Sequence, residues 1–371
     1  MPLYHSDDQA MLRDTARSFM AEEGAIAKQL RHWRDRNCKD GFGHGLWKQF
    51  GEMGFTGILI DEADGGLGLG QVEAGIVLEE IGRNLTPSPF LTTAIGFVTA
   101  LKGTSHSARW FPGILAGETV AALAIDEGAK HRPENIAMKA ERAGNGFRLS
   151  GAKQFVVQGA SADVTLVAAR GEEGLTLFAV EKGAQGLDVE GVRLADSSIG
   201  ARMSFDNVEV DADAVVGEVG GGEAVLSRVL AAGRTGAAAE LVGVGSAAMD
   251  MTVDYLKQRK QFGRLIGEFQ ALQFRAAHLY SELEIARAAT LKAQQLIDEG
   301  SDQAEIMVAV AKAKAGRASQ LAVQEGVQMH GGIGMTDEFD IGLYMKRDRV
   351  LNELFGDANY HADRVARMKG Y

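Results

Sequence analysis

The chain has 371 residues, 46% hydrophobic and 24% charged, which excludes intrinsic disorder and fibrous repeats and gives room for about two or three domains. Lys and Arg total 39 against 50 for Asp and Glu, a net charge of -11, so nucleic acid and anionic membranes are repelled unless basic groups cluster locally. Cys38 is the only cysteine, which rules out an internal disulfide and a cysteine-based zinc cage and suits a reducing cytoplasm.

The opening residues have neither a basic n-region nor an apolar h-region, and nowhere is there an uncharged apolar run long enough to span a bilayer. A cytoplasmic protein without a membrane segment is the expectation. Residues 1–117 read as an N-terminal α-helical domain. Ser6 caps a helix with Met11, Leu12, Ala16, Phe19 and Met20 on one face, and Leu46, Phe50, Met53 and Phe55 continue the pattern after a glycine-rich break. A short apolar run, Gly57 to Ile60, enters a glycine turn, and Val72 to Leu85 is helical again, stopping before Pro87 and Pro89.

Residues 118–219 change period. Val120 to Ile125, Phe147 to Leu149, Phe155 to Val157, Val164 to Ala169, Leu175 to Val180 and Val208 to Val210 are short β-rich runs between turn residues, predicting an antiparallel barrel or sandwich. Residues 220–371 return to helix. Leu272, Ala276, Leu279, Leu283, Ala286, Thr290, Ala293 and Ile297 alternate by four and three, the seam of a bundle, and a second Ala-rich helix follows over about 302–329. The fold class is therefore multidomain α+β: N-terminal helices, a central antiparallel β-domain and a C-terminal four-helix bundle. Seams of this length also serve subunit contacts.

No P-loop, complete G-x-G-x-x-G, H-E-x-x-H or G-x-S-x-G motif occurs, and the histidines lack ligand spacing on a helix face, so no metal site is expected. Two clusters stand out. Arg259-Lys260-Gln261-Phe262-Gly263-Arg264 sets three cations and a ring at a helix end, suited either to a phosphate or to plain C-capping. Gln328-Met329-His330-Gly331-Gly332-Ile333-Gly334 offers either close backbone approach to a ligand or an ordinary glycine C-cap.

These two motifs, with Phe269-Gln270-Ala271-Leu272-Gln273 after the first and Met335-Thr336-Asp337-Glu338 after the second, resemble the acyl-CoA dehydrogenase family of flavoproteins over essentially the whole chain. The resemblance implies an FAD site built between subunits. Arg259 would lie near the pyrophosphate, Phe262 and Gln270 beside it, and Gln328, Gly331 and Gly332 around the adenine half of a neighbouring subunit's flavin. Lys153-Gln154-Phe155-Val156-Val157-Gln158-Gly159 resembles the strand against the isoalloxazine, where Phe155 and Val157 match the family's aromatic residue and threonine. Val157 has no hydroxyl to donate, so contact through Phe155, Val156 and Val157 falls to backbone groups. The loop Ile125-Asp126-Glu127-Gly128-Ala129-Lys130-His131-Arg132 keeps only the Gly-Ala centre of the family pattern. Arg234 matches an arginine beside the substrate, a surface arginine being the plainer reading.

The activity the resemblance implies is FAD-dependent α,β-dehydrogenation of an acyl-CoA thioester, with an electron-transferring flavoprotein as acceptor and a tetrameric assembly. A carboxylate must then remove the proton from Cα. The family's glutamate is matched by Phe355 in Leu354-Phe355-Gly356-Asp357, and its alternative position by Gly233. Asp357 and Glu240 are the candidate replacements in this chain, but Asp357 also matches a flavin contact and reads more plainly as a solvated surface aspartate, and Glu240 reads more plainly as a buried ion-pair partner. A third explanation is preferred. The tail, the altered loop and the length are similar to small subunits of two-component enzymes of the pimeloyl-CoA dehydrogenase type, in which a second acyl-CoA dehydrogenase-like chain would bring the carboxylate; the sequence leaves homotetramer and heterotetramer both open. The Phe355 N-H, with Gly356 behind it, still suits the thioester carbonyl. Other readings are a flavin-binding or scaffolding subunit without turnover, and a flavin oxidase or monooxygenase of the same fold.

Overall fold

The computed structural model describes residues 3–371. In chain order the helices are α1 (Asp7–Glu22), α2 (His32–Asp35), α3 (His44–Glu52), α4 (Gln71–Asn84), α5 (Val98–Leu101), α6 (Ser107–Leu115), α7 (Gly222–Gln258), α8 (Gln270–Asp298), α9 (Ala304–His330), α10 (Ile341–Glu353) and α11 (Ala358–Met368). The strands are β1 (Ala121–Ala124), β2 (Lys139–Ala143), β3 (Gly146–Val157), β4 (Val164–Gly171), β5 (Gly174–Glu181), β6 (Leu187–Arg193), β7 (Ile199–Val210), β8 (Val215–Val216), β9 (Lys260–Gln261) and β10 (Arg264–Leu265). Among the described residues no helix is long and apolar enough to cross a membrane. No group of three or more His, Cys, Asp and Glu among them is arranged to hold a metal ion.

Two compact groups of residues make up the chain. One joins the segment ending at Lys28 with Gln71–Thr86 and Arg234–Tyr371; the other joins Gln29–Gly70 with Pro87–Gly233.

In the first group, Ser6 caps α1 through a capping box with Gln9, whose backbone N-H lies 3.2 Å from the Ser6 hydroxyl. Ala16 and Met20 are buried, but Met11 is 69% exposed. It lies one helical step off the Leu12–Ala16–Phe19 stripe, so the predicted face is narrower by one residue. The seam of α8 is buried in its middle at Leu279, Leu283, Ala286, Thr290 and Ala293, whereas the predicted Leu272, Ala276 and Ile297 toward its ends are only half-buried. The helix α9 packs against α8, α10 and α11. Small residues set how closely the helices approach. A Cβ built on Gly82 of α4 would run into the Glu240 carbonyl of α7, and one on Gly243 of α7 would run into the Glu79 carbonyl of α4. The two backbones thus touch reciprocally, and neither position has room for a methyl group.

The second group centres on an eight-stranded sheet in the order β6-β7-β3-β2-β4-β5-β8, with β1 beside β4. Pairing is antiparallel except that β1, and a single bridge of β2, run parallel to β4. Phe147, Leu149, Val156, Val167, Phe178, Met203 and Val208 build its core. The predicted runs at 147–149 and 155–157 are one strand, β3, because the intervening Ser150 to Gln154 continues pairing with β7 through register shifts. Three strands of the sheet, β2, β6 and β8, escape prediction: β2 carries Lys139, Glu141 and Arg142, β6 is mostly exposed, as an edge strand can be, and β8 is only two residues long. The aromatic residues Trp47, Phe50, Phe55 and Phe90 pack together in the helical part of this group, with neighbouring ring centroids 5.8 Å apart.

Gly243→Ala should destabilise the protein by about 1–3 kcal/mol, because the added methyl meets a peptide carbonyl that cannot move aside. Gly45→Ala, where an added Cβ meets nothing within 4 Å, should instead stabilise α3 by about 0.5–1 kcal/mol. Chemical denaturation of the two variants separates these outcomes.

Candidate active site

The basic cluster forms the hairpin β9–β10 directly after α7 ends. Its two-residue tip, Phe262-Gly263, has φ of 53° and 79°, the doubly left-handed conformation of a tight hairpin turn. A phenylalanine is strained there, and its side chain is 91% exposed. Phe269 stacks edge-on to it at 6.4 Å and carries the Arg264 guanidinium 4.1 Å above its ring. Arg259 is exposed at the hairpin's base. Gln270 opens α8, whose N-cap residue Phe269 makes no capping hydrogen bond through its side chain and whose first turn holds no acid. A long helix starting this way presents free amides and positive potential to an anion.

The second motif closes α9. His330 is buried, stacks on Tyr255 at 4.4 Å and contacts Phe339 at 4.8 Å. Its Nδ1 lies 2.7 Å from the Gly326 carbonyl; a carbonyl only accepts, so Nδ1 carries the proton. Because Tyr255 lies on the last turns of α7, this stack holds the end of α9 beside the root of the hairpin. Gly331 then turns at φ 64°, and a Cβ on Gly331 or Gly332 would meet nothing within 4 Å. Gln328 is exposed one turn before. An exposed ring, an exposed guanidinium, an uncapped helix start and two bare glycines at one end of the bundle are a donor set that fits a dinucleotide with its pyrophosphate.

In the sheet, Phe155 sits at φ 54° within the register shift between Lys153 and Val156, a bulge that re-aims the strand. Phe155 and Val157 are half-buried, and Val156 is in the core. Lys153, wholly buried, donates to the Ile125 carbonyl at 3.1 Å and pairs with Glu127 at 2.7 Å. Glu127 also accepts from the amides of Ala137 and Met138. Burial alone would raise its pKa, but Lys153 and those amides hold it below the ordinary value. The loop after β1 is thus pinned to β3 by charge, and Asp126 closes it on His131 at 2.9 Å.

The tail motif forms a buried turn between α10 and α11. Phe355 is 4% exposed at φ 59°, and Gly356 follows at φ 101°. The Phe355 carbonyl lies 3.0 Å from His361 Nε2 and 3.4 Å from Arg234 Nε, so both donate to it. Lys312 of α9, fully buried, donates to the carbonyls of Leu351 at 3.0 Å, Asn352 at 3.3 Å and Gly356 at 3.0 Å. The Gly356 N-H goes to Glu353 at 3.2 Å. Among the described residues the Phe355 N-H has no acceptor.

Arg234 is only 4% exposed, not the surface arginine of the plainer reading. It also reaches the Tyr360 hydroxyl at 3.4 Å. Burial, with Arg364 nearby, pulls its pKa down to about 10. Asp357 is the N-cap of α11, its Oδ1 accepting from the amides of Asn359 at 3.0 Å and Tyr360 at 2.8 Å. Glu240 is 1% exposed and paired with Arg347 at 2.6 Å, the ion-pair alternative drawn from the sequence. The turn therefore brings together Arg234, Phe355, Gly356 and Asp357. Sequence reasoning missed Lys312 and His361; Lys312 falls on the buried Val308–Ala315–Ser319 stripe of α9, and a lysine at that helical phase was the available signal.

Family models for the acyl-CoA dehydrogenase N-terminal, middle and C-terminal domains match residues 6–118, 123–208 and 220–369. The chain is 33% identical over 326 residues to the mitochondrial isovaleryl-CoA dehydrogenase of Solanum tuberosum, covering 83% of this chain and 78% of that one. It is 32% identical over 359 residues to the acyl-CoA dehydrogenase FadE12 of Mycobacterium tuberculosis, covering 93% and 91%. Among solved structures, a single-residue variant of the Tcur3481-Tcur3483 steroid ACAD superposes with a TM-score of 0.90 at 28% identity, over 98% of both chains. Members of this family are FAD-binding flavoproteins. With all three domain models and relatives over nearly its full length, the chain belongs to the acyl-CoA dehydrogenase family.

Proposed function

We propose that the chain dehydrogenates an acyl-CoA thioester to the 2-enoyl-CoA with FAD, as the flavin-binding partner of a second acyl-CoA dehydrogenase-like chain in a heterotetramer. The observation that carries this reading is the turn at Phe355. Its carbonyl is tied from two sides while its N-H has no acceptor among the described residues. A buried amide left unpaired is costly, and a thioester carbonyl would satisfy it.

Bound FAD supplies the hydride acceptor for the substrate Cβ. Arg259, Phe262 and Gln270 would hold its pyrophosphate, Gln328, Gly331 and Gly332 the adenine half of a neighbour's, and Phe155, Val156 and Val157 would lie along the ring. The Phe355 amide donates to the thioester carbonyl, raising the acidity of the Cα proton. Arg234 and Gly356 shape the same turn.

A base must take that proton to a carboxylate oxygen. Neither in-chain candidate is well disposed to do so, since Asp357 caps α11 and Glu240 is buried against Arg347. The second chain is therefore assigned the base, and electrons leave to an electron-transferring flavoprotein. The paired name of the similar steroid ACAD, Tcur3481-Tcur3483, points the same way. A non-catalytic flavin-binding subunit is the second reading, favoured by the phenylalanine at the base position.

Purified without added cofactor, the chain should carry a flavin spectrum that does not bleach when acyl-CoAs are added anaerobically. Co-expression with a neighbouring gene for a similar chain should restore bleaching. Bleaching by the chain alone at the rate of ordinary family members would overturn the two-chain assignment.

Asp357→Ala should cost about 1 kcal/mol of stability through the lost cap and leave bleaching by the two-chain enzyme within about twofold. A loss of bleaching of about 100-fold or more, the scale of a removed general base, with unchanged melting would instead make Asp357 the base.

A further inference from the structure

Lys312 has a place in this turn that the reaction as described does not use. An ammonium has three N-H donors, and this one meets three carbonyls, those of Leu351, Asn352 and Gly356. These acceptors bracket Phe355 in sequence: two precede it in the last turn of α10 and one follows it. Between them the Glu353 carbonyl takes the Gly356 N-H, and the Phe355 carbonyl is taken by His361 and Arg234. The peptide carrying the Phe355 N-H is therefore flanked on both sides by peptides that cannot rotate.

We propose that Lys312 is the positioning residue of the thioester-binding turn, its ammonium fixing the direction of the Phe355 N-H by gripping the carbonyls on either side of it. This rests on the reading of that amide as the thioester donor. Lys312 touches no substrate and acts only through the backbone it holds.

The charges around it make the grip sensitive to pH. Asp348 and Glu353 face Lys312 from α10 and Asp357 from the turn, while Arg234 faces it from α7 and His361 of α11 binds the same turn. Burial outweighs the favourable carboxylates and brings the Lys312 pKa down to about 7, with Arg234 adding to the drop. Asp348, raised by burial to about 6, is charged where Lys312 begins to lose its proton. A neutral amine has two N-H groups for three carbonyls, so one tie is lost as pH rises past about 7.

Global stability moves in the opposite direction. The unfolded chain keeps its proton up to the ordinary lysine value of 10.5, so above about 7 the unfolded state binds more protons than the native one. Stability from this group therefore rises with pH while the turn loosens. A lysine that only filled space would not divide the two readouts.

The test is hydrogen–deuterium exchange of the full chain with its flavin, below and above about pH 7, each rate divided by that of the unfolded chain. In the wild type, a peptide spanning residues 351–360 should lose protection by about threefold to tenfold across that interval, the scale of one hydrogen bond, while sheet peptides do not. Lys312→Met should be loose at both pH values, and Lys312→Arg, charged throughout, should restore protection without a pH step. A flat wild-type profile overturns the proposal, as does a folded Lys312→Met chain with unchanged protection. If Lys312→Met fails to fold, the wild-type profile decides.

Straight-chain acyl-CoAs from acetyl to palmitoyl, titrated against the flavin spectrum, then separate the two ideas. Weaker acyl-CoA binding by a loosened variant supports the role at the thioester, and unchanged binding overturns it. Binding of none of them to the wild type, with the exchange results as expected, removes the thioester reading while the hold on the turn stands.

Discussion

A buried ammonium must be surrounded by oxygen, and around Lys312 the bundle provides that oxygen from its own backbone. With the side chain 0% exposed, no water replaces the carbonyls of Leu351, Asn352 and Gly356. α10 must therefore end where it does, and the chain must reverse through two left-handed residues before α11 can start. Once that reversal is imposed, the Phe355 carbonyl points to His361 and Arg234, and Asp357 falls at the cap of the next helix. The strain at Phe355, φ 59° for a bulky residue, is the local cost of meeting one charge's demand.

The same logic runs through the sheet on a smaller scale. Lys153 is as deeply buried, and its partner Glu127 comes from the loop that follows β1. That loop is held in place because two amides and an ammonium converge on one carboxylate. In both places a lysine on a regular element fixes an irregular segment beside a proposed ligand position.

Much of the fold is legible in the sequence because it rests on period. The seam from Leu279 to Ala293 and the cap at Ser6 are local patterns with local causes. The strands β2 and β6 are not legible, because charged or exposed residues hide a strand's alternation. In the candidate site the motif residues could be named, but Asp357 as a cap, Glu240 as the partner of Arg347 and Lys312 as a backbone clamp could not. Their partners lie up to 107 residues away, and a lysine within Ala-Val-Ala-Lys-Ala-Lys gives no sign of which of its two lysines turns inward beyond helical phase.

The crossing of α4 and α7 has a different kind of consequence. At Gly82 and Gly243 the obstacle to a side chain is a peptide oxygen of the opposing helix, a group every residue type possesses. A side-chain replacement at Glu79 or Glu240 leaves that oxygen where it is, so relief for either glycine has to come from a shift of the helices rather than from a smaller partner. Sequence drift along these helices can reshape what the crossing carries, such as the Glu240 pair with Arg347, without touching the obstacle itself.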